Sequence, residues 1–197
     1  MIKPKFIKDG NDLRVVIGPC RIAYPHVFEP HAAKDSNEAP KYSATILVPK
    51  SETETVNALN KAVKMIFNEA VPGKWGGKTP KDGFWNNPIN DGDSPKKTGE
   101  ERGDEFKDCY FITPKNIRKP LVLDKEGEPI EDADEIYGGV WALASICVYA
   151  YDKGSKGIGC QLVALKKWKD DTAWGGSDNR YAGDFDGTSD EEEDDVY

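Results

Sequence analysis

Only one long stretch of this chain carries the period of a helix. Val56, Leu59, Val63, Ile66, Phe67 and Ala70 recur three and four apart, the spacing that lines one helix face. The pattern predicts an amphipathic helix over 52–70. Ser51 and Glu54 form a capping box at its start, and Pro72-Gly73 stops it. The other apolar segments read as strands. Residues 13–22 (LRVVIGPCRI) make one, interrupted at Gly18-Pro19 by a bulge or an edge, because proline cannot donate to a ladder. In 41–49 (KYSATILVP), Tyr42, Ala44, Ile46 and Val48 share one face, and Ser43, Thr45 and Leu47 the other. Residues 106–113, 120–124 and 137–151 complete the set, and 157–168 reads as a strand or a short helix. Residues 25–40, with three prolines, and 72–105, rich in Gly, Pro, Lys and Asp, read as loops. A connection as long as the second is usually functional or mobile. Strands that do not alternate with helices exclude a dinucleotide-binding α/β fold. They point to a closed or partly closed β-barrel or a sandwich.

The net charge is −8, which ordinarily argues against a polyanionic ligand. Residues 184–197 (DFDGTSDEEEDDVY) undo that argument, because they hold eight acids and no base. The other 183 residues balance at 27 bases and 27 acids, and residues 1–50 carry eight bases against five acids. A basic surface can therefore form locally on the body. Met1 opens onto IKPKFIKDG, which has no apolar core of a signal peptide, and no apolar run is long enough to span a bilayer. A soluble, intracellular protein with reduced Cys20, Cys109, Cys147 and Cys160 is expected.

Motifs for catalysis are weak. GGKT at 76–79 lacks the glycine that a phosphate loop places five residues before its second glycine, and it follows a helix instead of a strand. Asp91 and Asp93 in NDGD offer two carboxylates to a divalent cation, or simply a turn that bonds its own backbone. His26 and His31 are five apart, not the four that align two ligands on a helix face. GIG at 157–159 is too short for a dinucleotide fingerprint. No cofactor and no resident metal are expected.

Aromatic residues beside bases are more informative. Arg21 and Tyr24, Lys41 and Tyr42, Tyr110 near Lys107, Trp141, and Tyr149 near Lys156 all lie in or beside strands. Single-stranded nucleic acid is held by rings that stack on bases and by Lys or Arg that neutralise phosphates. Aromatic residues in strands also fill cores, so the pattern alone leaves both readings open. In an alternating strand, Phe111 is expected inside and Tyr110 outside.

GPCRIAYPHVFEPHAAK (18–34), KYSATILVPKSE (41–52), NPINDGD (87–93), CYFI (109–112) and IEDADEIYGGVWALASICVYAYDKGSKGIGCQLVALKKW (130–168) together resemble a bacteriophage single-stranded DNA-binding protein family. The resemblance covers nearly the whole chain. It implies an OB-fold, the five-stranded Greek-key barrel, over 1–170, with one inserted helix, long loops and a flexible acidic tail over 171–197. It further implies a non-enzymatic protein that coats single strands during phage replication and recombination, in the cytoplasm of the infected bacterium. Arg21, Tyr24, Lys41, Tyr42, Tyr110, Trp141, Tyr149 and Lys156 lie in the matching motifs and are the expected DNA contacts.

A run of like charges repels itself and stays disordered. Asp190, Glu191, Glu192, Glu193, Asp194 and Asp195 can mimic a polyanion in the groove, then dock on a polymerase, helicase or nuclease, with Tyr197 as an anchor. Their simpler role is solubility. Two rival readings are a metal-dependent phage nuclease using Asp91 and Asp93, and an adaptor that works through the tail alone. A homodimer is compatible with all three.

Overall fold

The computed structural model of the chain describes residues 2–9, 12–32, 39–81 and 84–174. Its strands are β1 (Lys5–Asp9), β2 (Asp12–His31), β3 (Lys41–Pro49), β4 (Asn90–Asp91), β5 (Cys109–Ile112), β6 (Lys115–Asn116), β7 (Leu121–Leu123), β8 (Trp141–Tyr151) and β9 (Gly157–Lys169), with one α-helix, α1 (Thr53–Ala70), after β3. The sheet runs β4-β5-β3-β2-β8-β9-β7, with β1 added to β2 and β6 to β3. Only β7 on β9 is parallel among these pairings. The sheet curls until β6 meets β9, where the Asn116 side-chain amide donates to the Leu162 carbonyl at 2.9 Å. The result is a mainly β, partly closed barrel of OB type carrying one helix.

Alternation in the long strands decides the inside. Leu13, Val15 and Ile17 of β2, Ala44, Ile46 and Val48 of β3, Ala142, Ala144, Ile146 and Val148 of β8, and Leu162 and Leu165 of β9 are buried together. Each large aliphatic side chain among them contributes about 1.5–3 kcal/mol by leaving water. Ala58, Leu59, Ala62, Val63, Ile66 and Ala70 of α1 join the same core. The helix thus covers an open end of the barrel through the face its sequence period marks. No helix among the described residues is long and apolar enough to cross a membrane.

Three expectations need correction, and two readings left open are settled. Much of 25–40 is strand, because β2 continues to His31 and carries buried Val27. The register shifts between Ala23 and His26 and again between His26 and His31. Pro25 and Pro30 fall at these unpaired positions, where a missing N–H costs nothing. The capping box is not formed: the cap residue is Glu52, which makes no side-chain cap bond. Ser51 and Glu54 are then one position out of step, and the first turn is tied by the Thr55 hydroxyl donating to the Gly18 carbonyl at 3.2 Å. Residues 157–168 are strand throughout. The strand expected over 106–113 starts later, because Asp104–Phe106 is a 3-10 turn. The interruption at Gly18-Pro19 is a bulge, with the β2–β8 register shifting between Ile17 and Cys20.

A second, smaller cluster lies on the other side of the sheet. Ala23, Leu47, Phe106 and Phe111 are buried there, with Cys109 and Trp174 packed against them. Their strand neighbours Ile22, Ile46 and Ile112 point into the main core. Both faces of β3 are therefore buried over Ala44–Val48.

Candidate nucleic-acid interface

The outward residues of β8 form a line from Trp141 through Leu143, Ser145 and Cys147 to Tyr149 and Tyr151. Alternate positions beside them, Ala142, Ala144, Ile146 and Val148, are in the core. Register places Arg14 of β2 and Gln161 of β9 on either side of Cys147. Arg21 of β2 and Lys169 of β9 flank Trp141 at the opposite end.

The Tyr149 end opens into a trough. Two adjoining hollows, of about 480 and 540 Å³, share Asn116, Ile117 and Gln161. Lys41, Lys115, Tyr149 and Gly159 line the first, and Arg14, Arg118, Lys119 and Cys147 line the second. Five cations thus border the trough, and no carboxylate is among its described lining residues. Arg14, Lys115 and Arg118 make no ion pair with another described residue. Lys119 sits 5.6 Å from the Phe28 ring centroid. Ile117, 72% exposed, stands on the wall as an apolar contact in a basic loop. Such a set can hold phosphates along its rim and a base on its floor.

Tyr149 is positioned by a glycine. The paired segments are YAY and GIG, with Tyr149 opposite Gly159 and Tyr151 opposite Gly157. A Cβ at Gly159 would stand 2.7 Å from Tyr149 Cζ, and one at Gly157 would stand 2.4 Å from the Tyr151 hydroxyl. The phenol ends of both rings occupy the space that side chains would fill. The Asn86 amide also donates to the Tyr151 hydroxyl at 2.9 Å. Burial, the largest influence, raises the Tyr149 pKa, so the ring stays neutral and adds no charge against a phosphate.

The Trp141 end is covered. The Arg21 guanidinium lies 4.2 Å from the Trp174 ring centroid and 5.5 Å from that of Trp141. It donates to the carbonyls of Gly139 at 2.9 Å and Thr172 at 3.3 Å, and it pairs with Asp171 at 3.5 Å. The Trp141 indole N–H donates to Asp171 Oδ2 at 2.7 Å. That bond, then the Thr172 N–H, then the charge of Arg21 hold the Asp171 carboxyl below its ordinary pKa.

The remaining expected residues stand apart from the trough. Tyr24 has φ of 48° at a bulge in β2 and donates its hydroxyl to Glu105 at 2.8 Å. Tyr42 is half-buried opposite Asn116. Tyr110 lies under the Lys50 ammonium, at 4.9 Å. Phe111 is buried and Tyr110 half-buried. Lys156 donates to the Trp75 carbonyl at 2.9 Å, fixing the loop after α1. Asp91 and Asp93 are occupied by one side chain: Lys50 Nζ donates to them at 2.7 and 2.6 Å. Those bonds lower both carboxyl pKa values and raise that of Lys50. Asp190, Glu191, Glu192, Glu193, Asp194, Asp195 and Tyr197 lie outside the described residues.

Of the expected contacts, the trough gathers Lys41 and Tyr149, while Arg21 and Trp141 meet at the covered end. Arg14, Lys115, Arg118, Lys119 and Gly159 also line the trough and were not among the expected contacts. For Lys115, Arg118 and Lys119 the available signal is the basic run KNIRK (115–119).

The sequence profile of the family described as Enterobacter phage Enc34, ssDNA-binding protein, matches residues 13–197. The chain belongs to this family. A structure of the single-stranded DNA-binding protein of bacteriophage Enc34, solved in complex with single-stranded DNA, is 27% identical and superposes with a TM-score of 0.68, covering 88% of this chain and 98% of that one. Protein p50 of Acyrthosiphon pisum secondary endosymbiont phage 1 is 28% identical over 192 residues, covering 93% of this chain and 98% of p50. The single-stranded DNA-binding protein gp2.5 of bacteriophage T7 shares the fold, with a TM-score of 0.54 at 14% identity over 93% of this chain and 97% of that one.

Proposed function

We propose that this Enc34-family protein binds single-stranded DNA in the trough between the 115–119 loop and the outward face of β2, β8 and β9. The observation that carries the reading is five cations around Tyr149 and Ile117 with no described carboxylate among them. Phosphates pair with Arg14, Lys41, Lys115, Arg118 and Lys119, and bases stack on Tyr149. Because every base offers a ring face and every nucleotide a phosphate, this mechanism has little sequence preference. Duplex bases already stack on one another, so unpaired strands are favoured. The protein acts without catalysis, protecting strands during phage DNA replication and recombination in the host cytoplasm. The acidic residues 184–197 compete with DNA for the trough and recruit a polymerase, helicase or nuclease.

Titration with oligo(dT), read by intrinsic fluorescence and mobility shift, tests the core of this. Saturable binding that weakens with salt is expected, with labelled DNA left intact in Mg²⁺. Absence of binding at low salt refutes the reading. Deleting 184–197 should tighten binding most at low salt and remove partner recruitment; unchanged affinity and unchanged recruitment leave those residues a solubility role only.

A further inference from the structure

The covered end of the outward face holds a cation and a ring in the same relation that the trough offers. Arg21 and Trp141 face each other across β2 and β8, on the outward side that also carries Arg14, Cys147 and Tyr149. From Cys147 to Trp141 is six residues of strand, or about 20 Å. What lies on Arg21 and Trp141 is the segment 170–174. It gives a carboxylate, Asp171, to the Arg21 guanidinium and the Trp141 N–H, and it lays an aromatic ring, Trp174, 4.2 Å from the guanidinium carbon. An acidic oxygen on Arg together with a ring stacked on it is what a nucleotide would supply.

The segment is fastened at few points. The Trp174 N–H donates to the Gly138 carbonyl at 2.7 Å. The Asp171 N–H donates to the Tyr137 hydroxyl at 3.2 Å, which also lies 2.9 Å from Asp170 Oδ1. A Cβ at Gly139 would stand 2.4 Å from the Thr172 carbonyl, so the glycine pair 138–139 makes room for the crossing. Asp170, Asp171, Thr172 and Ala173 are exposed. A segment held by a ring, two ion pairs (Arg21 with Asp171, and Lys167 with Asp170 at 2.9 Å) and a few hydrogen bonds, and exposed along most of its length, belongs to the low-stability end of a fold.

We propose that Arg21 and Trp141 form a second nucleotide subsite, occupied in the protein without DNA by Asp171 and Trp174. The inference rests on the trough reading and extends it. A short strand fills the trough alone. A longer strand runs along β8, displaces 170–174, and places a phosphate on Arg21 and a base on Trp141. If the segment is closed about nine-tenths of the time, opening it permanently tightens long-strand binding about tenfold.

The test compares the full chain with Trp174→Ala and Asp171→Asn variants, using dT oligonucleotides of about 4 and about 12 residues, near the two ends of OB-fold site sizes. Both variants should bind the short strand like the unaltered chain and the long strand about tenfold more tightly. In the unaltered chain and in both variants, the long-strand salt slope should exceed the short-strand slope by at least about 0.7, for the added phosphate contact on Arg21. Arg21→Ala placed in the Trp174→Ala background should remove the gain. Asp171→Asn keeps the ring and guards against a folding defect in Trp174→Ala. Independently, ¹⁹F NMR of 5-fluorotryptophan protein, with the Trp174 resonance assigned through Trp174→Phe, should show that resonance move with the long strand and not with the short one. If the unaltered chain binds both strands, but neither variant changes the long-strand affinity and the resonance stays put, the inference is overturned while the trough reading stands. If the unaltered chain binds neither strand, the trough reading falls and takes this one with it.

Discussion

The outward face of the barrel has two ends built from the same alternation and used in opposite ways. At one end, Arg14, Cys147 and Tyr149 look out into a basic trough. At the other, Leu47 and Phe111 are as buried as core residues, because the 3-10 turn at Asp104–Phe106 and Trp174 lie over them. Arg102 closes that roof, 4.7 Å from the Phe111 ring centroid and donating to the Ser94 carbonyl at 3.0 Å. Period two in a strand says which side of a sheet a residue is on. Whether that side is wet depends on what the loops lay across it. The covered end should matter for stability, and the bare end for binding.

Several substitutions can break or sharpen this contrast. The largest effect should come from Phe111→Ala at the covered end. Emptying that packed ring should cost about 3 kcal/mol of unfolding free energy, read by denaturant melts, with short-oligonucleotide affinity of the folded protein unchanged. A matching loss of affinity would show that the two ends are not separable. At the bare end, Arg14→Ala with Lys115→Ala should do the reverse. Affinity for oligo(dT) should fall about tenfold or more at low salt and the salt slope should flatten by about 1.4, for two phosphate contacts, while the melting temperature holds. A slope that does not change would place the phosphates elsewhere. A smaller loss is expected from Gly159→Ala, since the new methyl pushes the Tyr149 ring aside without removing it. Its affinity should fall between those of the unaltered chain and Tyr149→Ala, where stacking worth about 1–3 kcal/mol disappears. The smallest effect concerns the rim of the trough. His26 and His31 stack at 4.3 Å, and His31 pairs in register with Lys41. Burial, then the neighbouring His31, lower the His26 pKa. The unfolded chain therefore takes up this proton more readily than the folded one. The associated stability is intact above an ordinary histidine pKa of about 6.5 and is lost as pH falls through it. Melting at about pH 7.5 and about pH 5.5 should show a small drop, reduced in His26→Gln; an equal drop in both proteins would assign it to other groups.

The barrel and its helix were legible because burial imposes periods. The helix could be read from Val56 to Ala70, and the long strands from their alternation. What stayed hidden depended on long-range contacts. Nothing near Thr55 announces that it will bond the Gly18 carbonyl and set the helix start. Three prolines make 25–40 look like loop, and only the register shifts in β2 explain why two of them, Pro25 and Pro30, fit a strand. Of the residues lining the trough, aromatic-near-base pairing picks out Lys41 and Tyr149, but it cannot tell a ring on a floor from one under a roof. Tyr110 and Trp141 look the same in sequence as Tyr149, yet one lies under Lys50 and the other under Asp171. Three of the trough's other cations, Lys115, Arg118 and Lys119, are in KNIRK, two residues of which form a strand too short to carry a period, and Arg14 has no aromatic neighbour in the sequence to mark it. GIG is too short for a dinucleotide fingerprint, and its opposition to YAY becomes visible only once the turn between β8 and β9 pairs the strands.

That opposition bears on the entropy of binding. A tyrosine on an open strand samples several rotamers and must give them up when a base arrives, at a cost that subtracts from stacking. Where the strand opposite has given up its own side chain, the ring already rests in the vacated space. The ordering is done during folding, once, and on the proposed reading each nucleotide would meet a surface that is already still.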